Sequence, residues 1–329
     1  MKQNKRELVR LIRNYNKKPS QFLKKEIQIF DVSGIKNMSG LFKDSPFNAN
    51  LSKWDVSKVT NMDSMFMNSS FNKSINNWNT SNVTNMKNMF KSSCYNKKLN
   101  RLIVSNVNSM EGMFYNSRFN KKISRWDVSG VIDMKNMFRK SVFNKDISNW
   151  DVSNVVNMSS MFKYSKFNKS IYEWETNSVS NINWLFMGSR FNKDISIWDV
   201  SNVISMNSSF RESVFNNDIS TWDVSNVTNM KDTFRESVFN NDISSWDVSN
   251  VKTMSSLFKK SVFNQDISKW DVSNVTNMWA MFEDSRFKRN LNNWSIGDKT
   301  IVYWMFNIYD GFEFPKWYND KHKHLNKKG

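Results

Sequence analysis

Hydrophobic residues recur along the chain with a fixed period of 24 residues. Phenylalanine occupies one position of the period in twelve successive repeats, from Phe42 to Phe306, with no insertion or deletion between them. Tryptophan occupies a second position ten times, from Trp54 to Trp294, and Leu102 fills the one gap in that series. Such spacing is typical of stacked repeats, because an inserted residue would move every later side chain out of its column.

Each repeat predicts the same two elements. Trp246 and Val248 alternate with polar residues, as the buried residues of a short strand do. Met254, Leu257 and Phe258 have the i, i+3, i+4 spacing that places apolar side chains on one face of a short helix. The predicted fold class is an α/β repeat solenoid, leucine-rich-repeat-like, of about 11–12 stacked coils. Each coil would be a short parallel strand plus a short helix.

Both ends of the chain depart from the repeat and predict caps. Leu8, Leu11, Ile12 and Tyr15 are spaced as the apolar face of an amphipathic helix that could cover the first coil. Aromatic residues crowd together after the last repeat. The predicted organisation is an N-terminal capping helix and lead-in over residues 1–29, a repeat solenoid over 30–306, and a C-terminal cap with a basic tail over 307–329.

Composition limits the classes of protein. The chain contains 26 Phe and 14 Trp, whereas disordered chains contain few aromatic residues, so we expect a folded protein. The net charge of +18 favours an anionic partner. Cys94 is the single cysteine, so an intrachain disulfide is excluded, and we interpret it as a buried, inert thiol. No signal peptide, lipoprotein cysteine or transmembrane run is evident, so we expect an intracellular or virion-associated protein unless another export route exists.

One long phrase resembles a known family. Residues 215–230 and 263–278 read Phe-Asn-x-Asp-Ile-Ser-x-Trp-Asp-Val-Ser-Asn-Val-Thr-Asn-Met. This phrase resembles the repeat of the BspA-type leucine-rich-repeat surface proteins, also called the Mycoplasma-type lipoprotein repeat family. The resemblance covers residues 30–306. It implies a leucine-rich-repeat-like solenoid with a role in adhesion or protein binding, usually at a cell surface, and it brings no catalytic residues.

A column of lysines marks the candidate binding site. It runs through six successive repeats and then becomes neutral, with Asn217, Asn241 and Gln265 in the same position. One interpretation is a solvated edge that prevents strand pairing. The other is a patch for an acidic protein, a glycan or nucleic acid. Lys98 and Lys122 each follow a lysine of the column directly in sequence and are included with it. The candidate residues are Lys73, Lys97, Lys98, Lys121, Lys122, Lys145, Lys169 and Lys193.

Two polar columns accompany it. Aspartates follow the tryptophan position of the repeat from Asp31, which follows Phe30, to Asp271. We expect each carboxylate to accept hydrogen bonds from the next turn, with a row of calcium sites as the alternative. Asparagines from Asn48 to Asn264 predict a hydrogen-bonded ladder. No cofactor, metal site or catalytic residue is predicted, because the carboxylates repeat in near-identical settings and the two histidines lie outside the repeats.

These patterns predict a non-enzymatic repeat scaffold that binds another macromolecule. A protein partner in an adhesin-like or host-interaction role is the first hypothesis. A structural component of a particle or assembly, for example a viral one, is the alternative, and self-association would accompany it. Binding of nucleic acid or another polyanion through the basic columns is the third. Base stacking is disfavoured, because the periodic aromatic residues are committed to the core.

Overall fold

The structure is a computed structural model that describes residues 4–306 and 313–318. The chain divides into two compact units. The first unit is Met1–Val155 with Tyr164–Lys169, and the second unit is Val156–Lys163 with Ser170–Gly329. Each unit is built from the 24-residue repeat, and the first also contains two N-terminal helices.

The first helix, α1, is the predicted capping helix. It spans Lys5–Lys17 and begins where the side chain of Asn4 accepts a hydrogen bond from the backbone N–H of Glu7 at 3.1 Å. This bond satisfies one of the N–H groups that have no partner in the first turn. The amphipathic pattern is confirmed, with Leu11 only half-buried and Leu8, Ile12 and Tyr15 buried.

The second helix, α2, spans Gln21–Ile29 and was not predicted. The side chain of Ser20 caps it by accepting a hydrogen bond from the N–H of Leu23 at 3.2 Å. Ile27 is its single buried residue, so the segment lacks the apolar periodicity that indicates a helix in a sequence.

Within each unit, successive repeats pair in parallel and in register. The pairing is limited to one bridged residue per repeat, at the position of Asn61 and Asn229. The bridged residues are Asn37, Asn61, Asn85, Ser109 and Asp133 in the first unit, and Asn157, Asn181, Ser205, Asn229, Thr253, Asn277 and Ile301 in the second.

The predicted strand at the tryptophan position was wrong. The N–H of Trp246 donates to the carbonyl of Ile243 at 3.2 Å, and the N–H of Val251 donates to that of Val248 at 2.9 Å. These are two four-residue turns that flank residues 246–248, and the segment between them makes no strand pairing, since the bridge of this repeat is at Thr253. The alternation that suggested a strand reflects burial alone, since Trp246 and Val248 are both buried.

The predicted helix in the second half of the repeat was also wrong. The N–H groups of Met254 and Phe258 donate to the carbonyls of Asn277 and Met281 in the next repeat, at 2.8 and 2.9 Å. An α-helix would use these groups for bonds within the segment. Ser256 lies between them with a φ of 56°, in the left-handed region that a right-handed helix excludes. The coil is therefore made of turns, and the structure supports a repeat protein without confirming the α/β solenoid.

The predicted aromatic columns do form the core. The rings of Phe42 and Phe66 stack in the first unit with centroids 5.5 Å apart, and those of Phe258 and Phe282 stack in the second at 5.7 Å. The indole of Trp246 is buried, and its Nε1 donates to the carbonyl of Ile219 in the previous repeat at 3.0 Å. Stacking thus buries apolar surface that a single repeat would leave exposed.

Aromatic residues cover the last described repeat. Phe314 and Tyr318 contact the ring of Phe306 edge-on, and Trp317 Nε1 donates to the carbonyl of Leu291 at 2.9 Å. The remainder of the predicted C-terminal cap, with Phe312, the basic tail and both histidines, lies outside the described residues. In the portion of the chain that is described, no helix has the length and apolarity needed to cross a membrane.

Candidate functional site

Seven of the eight predicted lysines lie on one edge of the first unit, in a segment that ends at the tryptophan position. We call the nine residues of each repeat that end there the edge segment. In the segment 118–126, Phe119 and Ile123 are buried, and they flank Lys121 and Lys122, which are exposed. The core contacts of the apolar residues therefore present the lysines to solvent.

A ladder of asparagine side chains fixes the backbone beside each lysine. The N–H of Asn120 donates to Oδ1 of Asn96 at 3.0 Å, and the N–H of Asn144 donates to Oδ1 of Asn120 at 3.0 Å. The predicted ladder is confirmed, and it links the first unit from Asn48 to Asn168 and the second unit from Asn192 to Lys288. Lysines that follow these asparagines are thereby held in register.

The edge segments of the first unit are strongly basic. They are residues 46–54, 70–78, 94–102, 118–126, 142–150 and 166–169, and they contain twelve Lys or Arg against a single acid, Asp146. Eleven of the basic side chains are exposed, and Lys145 is half-buried. We call this set the basic edge: Lys53, Lys73, Lys97, Lys98, Arg101, Arg118, Lys121, Lys122, Arg125, Lys145, Lys166 and Lys169.

The charges of the basic edge are not neutralised within the described structure. Between residues 4 and 306 and over 313–318, no carboxylate lies within ion-pair distance of any of its members. Asp146 is the single acid, and hydrogen bonds from the backbone and hydroxyl of Ser148 hold its pKa below the usual range, with a smaller contribution from Lys169. Like charges repeated at the spacing of stacked coils create a positive potential that attracts anions.

The last predicted lysine, Lys193, lies in the second unit. It is exposed and stands beside Asp194 in sequence. The edge segments of this unit, which fall within residues 170–294, contain six basic and five acidic residues. The structure therefore places seven of the eight predicted lysines on the basic edge of the first unit and the eighth in a segment of mixed charge.

The aspartate column caps turns. Oδ1 of Asp223 accepts the N–H of Ser225 at 3.0 Å, and the equivalent bond to Asp151 from Ser153 is 3.0 Å. Hydrogen bonds from the serine hydroxyl and backbone lower the pKa of both carboxyls. The predicted capping role is confirmed. In the described part of the chain, no three carboxylate, imidazole or thiol groups are grouped as metal ligands, so the calcium alternative gains no support.

Sequence reasoning missed a second set of charged residues, on the turns that follow the bridged residues. In the first unit, Lys87 and Lys135 lie 3.4 and 3.8 Å from the carboxylate of Glu111. In the second unit, Nζ of Lys259 lies 2.6 Å from Glu283 and over the ring of Trp279. The signal was present in the sequence, since Lys87, Glu111 and Lys135 stand 24 residues apart. Here cations have partners, unlike those of the basic edge.

Cys94 departs from its prediction. It is half-buried rather than buried, and its Sγ donates to the carbonyl of Ser69 at 3.6 Å. The residue lies in the turn before the edge segment's buried aromatic position, where other repeats carry Arg118 or Val142. These larger side chains show that the position faces outward.

A pocket that the sequence did not reveal lies where α2 meets the first two edge segments. It has a volume of about 480 Å³. The pocket depends on α2, which was not predicted, although the sequence showed basic residues in this region. Its lining residues are Gln21, Lys24, Lys25, Gln28, Asn48, Ala49, Asn50 and Lys73.

Comparison with known proteins identifies a repeat family. Four overlapping stretches of the chain, residues 10–120, 108–214, 165–259 and 210–317, match the model of a family described as Mycoplasma protein of unknown function, DUF285. Together these matches cover nearly all of the repeats. No curated protein and no solved structure matches the chain.

Proposed function

Because the chain belongs to the Mycoplasma repeat family DUF285, whose function is unknown, we propose a role from its geometry: a non-enzymatic scaffold that binds an acidic protein along the basic edge. The observation that carries this proposal is the unneutralised charge of that edge, twelve basic residues against Asp146. The partner would supply carboxylates to a surface that presents almost none.

Preorganisation supports a binding role. The backbone beside each lysine is fixed by the asparagine ladder, as in the bonds of 3.0 Å that join Asn96, Asn120 and Asn144. The tryptophan that ends the segment is anchored as well, since Trp126 Nε1 donates to the carbonyl of Leu99 at 2.9 Å. A surface that is already ordered loses little conformational entropy on association, which favours affinity.

The choice of a protein over nucleic acid rests on the aromatic residues. Single-stranded nucleic acids bind to positive grooves in which aromatic side chains stack on the bases. The aromatic residues of the edge segments that carry the basic edge are buried in the core, Tyr95 and Phe119 among them. The edge therefore offers contacts to phosphates but no stacking platform, whereas carboxylates need only the ammonium and guanidinium groups.

An adhesin-like role in host interaction is the finer form of the proposal. It is supported by the resemblance of residues 215–230 and 263–278 to BspA-type repeats. A non-enzymatic role is supported by the uniformity of the carboxylates. Asp151 and Asp223 have pKa values lowered by the same type of serine hydrogen bond, whereas acid–base catalysis needs carboxyl groups in unlike environments.

The test is reversal of charge on the basic edge. Lys97, Lys121, Lys145 and Lys169 are replaced together by Glu, and binding to immobilised poly-L-glutamate is measured by surface plasmon resonance. We expect affinity to fall by at least about 100-fold, or about 2.7 kcal/mol. The matched control replaces four lysines outside the edge segments, which changes the net charge equally: Lys140, Lys231, Lys252 and Lys260.

The outcomes separate the hypotheses. Equal losses in both variants would show that net charge alone attracts the polymer, and the basic edge would not be a site. Single-stranded DNA of matched length serves as the competing ligand. If it bound the edge more tightly than poly-L-glutamate, with affinity falling steeply as salt increases, the protein hypothesis would give way to polyanion binding.

A further inference from the structure

The pocket beside α2 exists because the first repeat departs from the lysine column. Where later repeats of the first unit carry Lys73 or Lys97, the first repeat carries Ala49, which is 3% exposed. A methyl group in place of a long side chain leaves a hollow between α2 and the edge. Gln28 holds the helix there, since its Nε2 donates to the carbonyl of Asn50 at 3.2 Å.

The charge of this hollow has one sign. Lys24 and Lys25 reach it from α2, Lys73 borders it from the second edge segment, and no acidic residue is among the residues that line it. Three ammonium groups around one concavity repel each other, and a bound anion would relieve that repulsion. The volume of about 480 Å³ lies in the range of small-ligand sites.

The neutral lining also favours an anion. Oδ1 of Asn48 accepts the N–H of Asn72 at 3.0 Å, and Oδ1 of Asn50 accepts the N–H of Ser52 at 2.9 Å. With their oxygens engaged in the backbone, these two side chains have their Nδ2 donors left for a ligand. Hydrogen-bond donors combined with ammonium groups are the usual recognition elements for oxyanions.

We propose that this pocket binds a phosphate or sulfate group, carried as the monoester of a small molecule. The three lysines neutralise the doubly or singly charged oxyanion, and the asparagine amides orient its oxygens. A volume several times that of the oxyanion leaves room for a sugar-sized group. This inference goes beyond the proposed function, because the ligand is a small molecule and most of the pocket lies outside the basic edge.

Calorimetric titration tests the site with inorganic phosphate and inorganic sulfate, at constant low ionic strength set by chloride. The wild-type protein should show saturable binding of one anion. Replacement of Lys24 and Lys25 together by Gln should weaken this binding by about tenfold or more, and Lys73→Gln by about fivefold. The matched control, Lys231→Gln with Lys252→Gln, removes two exposed charges outside both the pocket and the basic edge and should change it by less than about twofold.

The source of the oxyanion is distinguished by two further ligands, a hexose 6-phosphate and a hexose 6-sulfate, with the neutral hexose as blank. Whichever ester binds more tightly identifies the group, and an inorganic ion that binds while neither ester does would overturn the monoester assignment.

Absence of saturation, or equal losses in the pocket and control variants, would overturn the site. The Lys24/Lys25 variant keeps every lysine of the basic edge, so its binding to poly-L-glutamate reports on the proposed function separately. Melting temperatures in chloride verify that each variant is folded.

Discussion

The edge segments of the first unit and those of the second unit have the same backbone and different charge. In both, an asparagine ladder joins neighbouring repeats, with bonds of 3.0 Å to Asn120 in the first unit and 2.8 Å to Asn240 in the second. The residue after the asparagine is lysine in the first unit except at Ala49, but it is Asn217, Asn241 or Gln265 in three repeats of the second. The ladder is therefore common to both units, while the residue that follows it varies.

The acids reinforce the difference. In the second unit Asp218, Asp242 and Asp266 occupy the position of Lys98 and Lys122. These aspartates accept the N–H of the serine two residues later, as Asp218 does from Ser220 at 2.8 Å. A local turn is thus capped where the first unit carries a second lysine. Two repeats of the first unit, at Lys98 and Lys122, carry a second positive charge in place of such a cap, whereas Asp146 keeps the cap by accepting the N–H of Ser148 at 2.9 Å.

The largest effect is expected in the core that both units share. Trp150→Ala and Trp246→Ala should each lower the free energy of unfolding by about 3–5 kcal/mol, because a buried indole and its hydrogen bond to the previous repeat are lost. Urea denaturation measures both. Costs that differed by several kcal/mol would show that the two units do not have equivalent cores. The matched Trp→Phe variants should cost less, since they lose mainly the N–H bond.

The second prediction transfers the basic edge to the second unit. Asn217, Asn241 and Gln265 are replaced by Lys, and the three adjacent aspartates by Asn, which retains an oxygen to accept the serine N–H. We expect affinity for poly-L-glutamate to rise by about 30-fold, or about 2 kcal/mol. This gain in affinity should add to the binding by the first unit. Plasmon resonance on the Lys97/Lys121/Lys145/Lys169→Glu background, in which binding by the first unit is weakened, measures the contribution of the second unit separately.

No gain on that background would mean that charge on this backbone is insufficient for binding. A control carries the same six charge changes at positions outside the edge segments. If the control gained as much affinity, the gain would come from net charge rather than from the edge.

The period of 24 was enough to predict that the aromatic columns are buried. Phe258 and Trp246 stand in columns that recur without insertion, and both lie in the core. The period could not predict the backbone, because Ser256 and Lys260 adopt left-handed conformations for which their side chains give no signal. Such residues normally indicate extended or helical segments, and here hydrogen bonds to the next repeat compensate the conformational cost.

The candidate site was predictable in part for the same reason. Lys121 and Lys122 follow a buried aromatic residue in a fixed register, so their exposure could be inferred from the sequence. The pocket at Lys24 and Lys25 could not, because it is formed by the contact between α2 and the repeat that carries Ala49. A contact between a unique segment and a repeat leaves no periodic signal.

The third prediction sharpens the role of the ladder. Asn120→Ala in the first unit and Asn240→Ala in the second each remove the acceptor of a backbone N–H, that of Asn144 or Asn264. We expect each to cost about 1–2 kcal/mol of stability, since an unsatisfied amide is left at a half-buried position. Only the first should also weaken binding to poly-L-glutamate, because Lys121 and Lys145 lose their register.

Chemical denaturation and plasmon resonance on the same samples separate the two effects. Equal binding losses from both variants would show that the ladder acts through overall stability and not through the position of the lysines. Asn120→Asp is the control for stability alone, because its carboxylate can still accept the N–H bond but also adds a negative charge to the edge.

The smallest effect concerns acid. The folded-state pKa values of Asp55 and Asp151 in the first unit, and of Asp223 and Asp271 in the second, are lowered by hydrogen bonds from the serine two residues later. A depressed pKa contributes stability that is fully present above the unfolded value of about 3.9 and is lost as the pH falls through the folded value. The unfolding midpoint in urea should therefore decline below about pH 4. Each contribution is modest because these carboxylates are exposed.

Replacement of these aspartates by Asn should flatten that decline, since the amide oxygen keeps the turn but does not titrate. The chain already contains one such repeat, where Oδ1 of Asn79 accepts the N–H of Ser81 at 3.1 Å. The change should be the same for the pair Asp55 and Asp151 as for the pair Asp223 and Asp271, because both units use the same turn. A decline that persisted unchanged in both pairs would place the acid sensitivity elsewhere. A difference between the pairs would instead indicate that the basic edge alters the titration of nearby turns, through a field that added salt would remove.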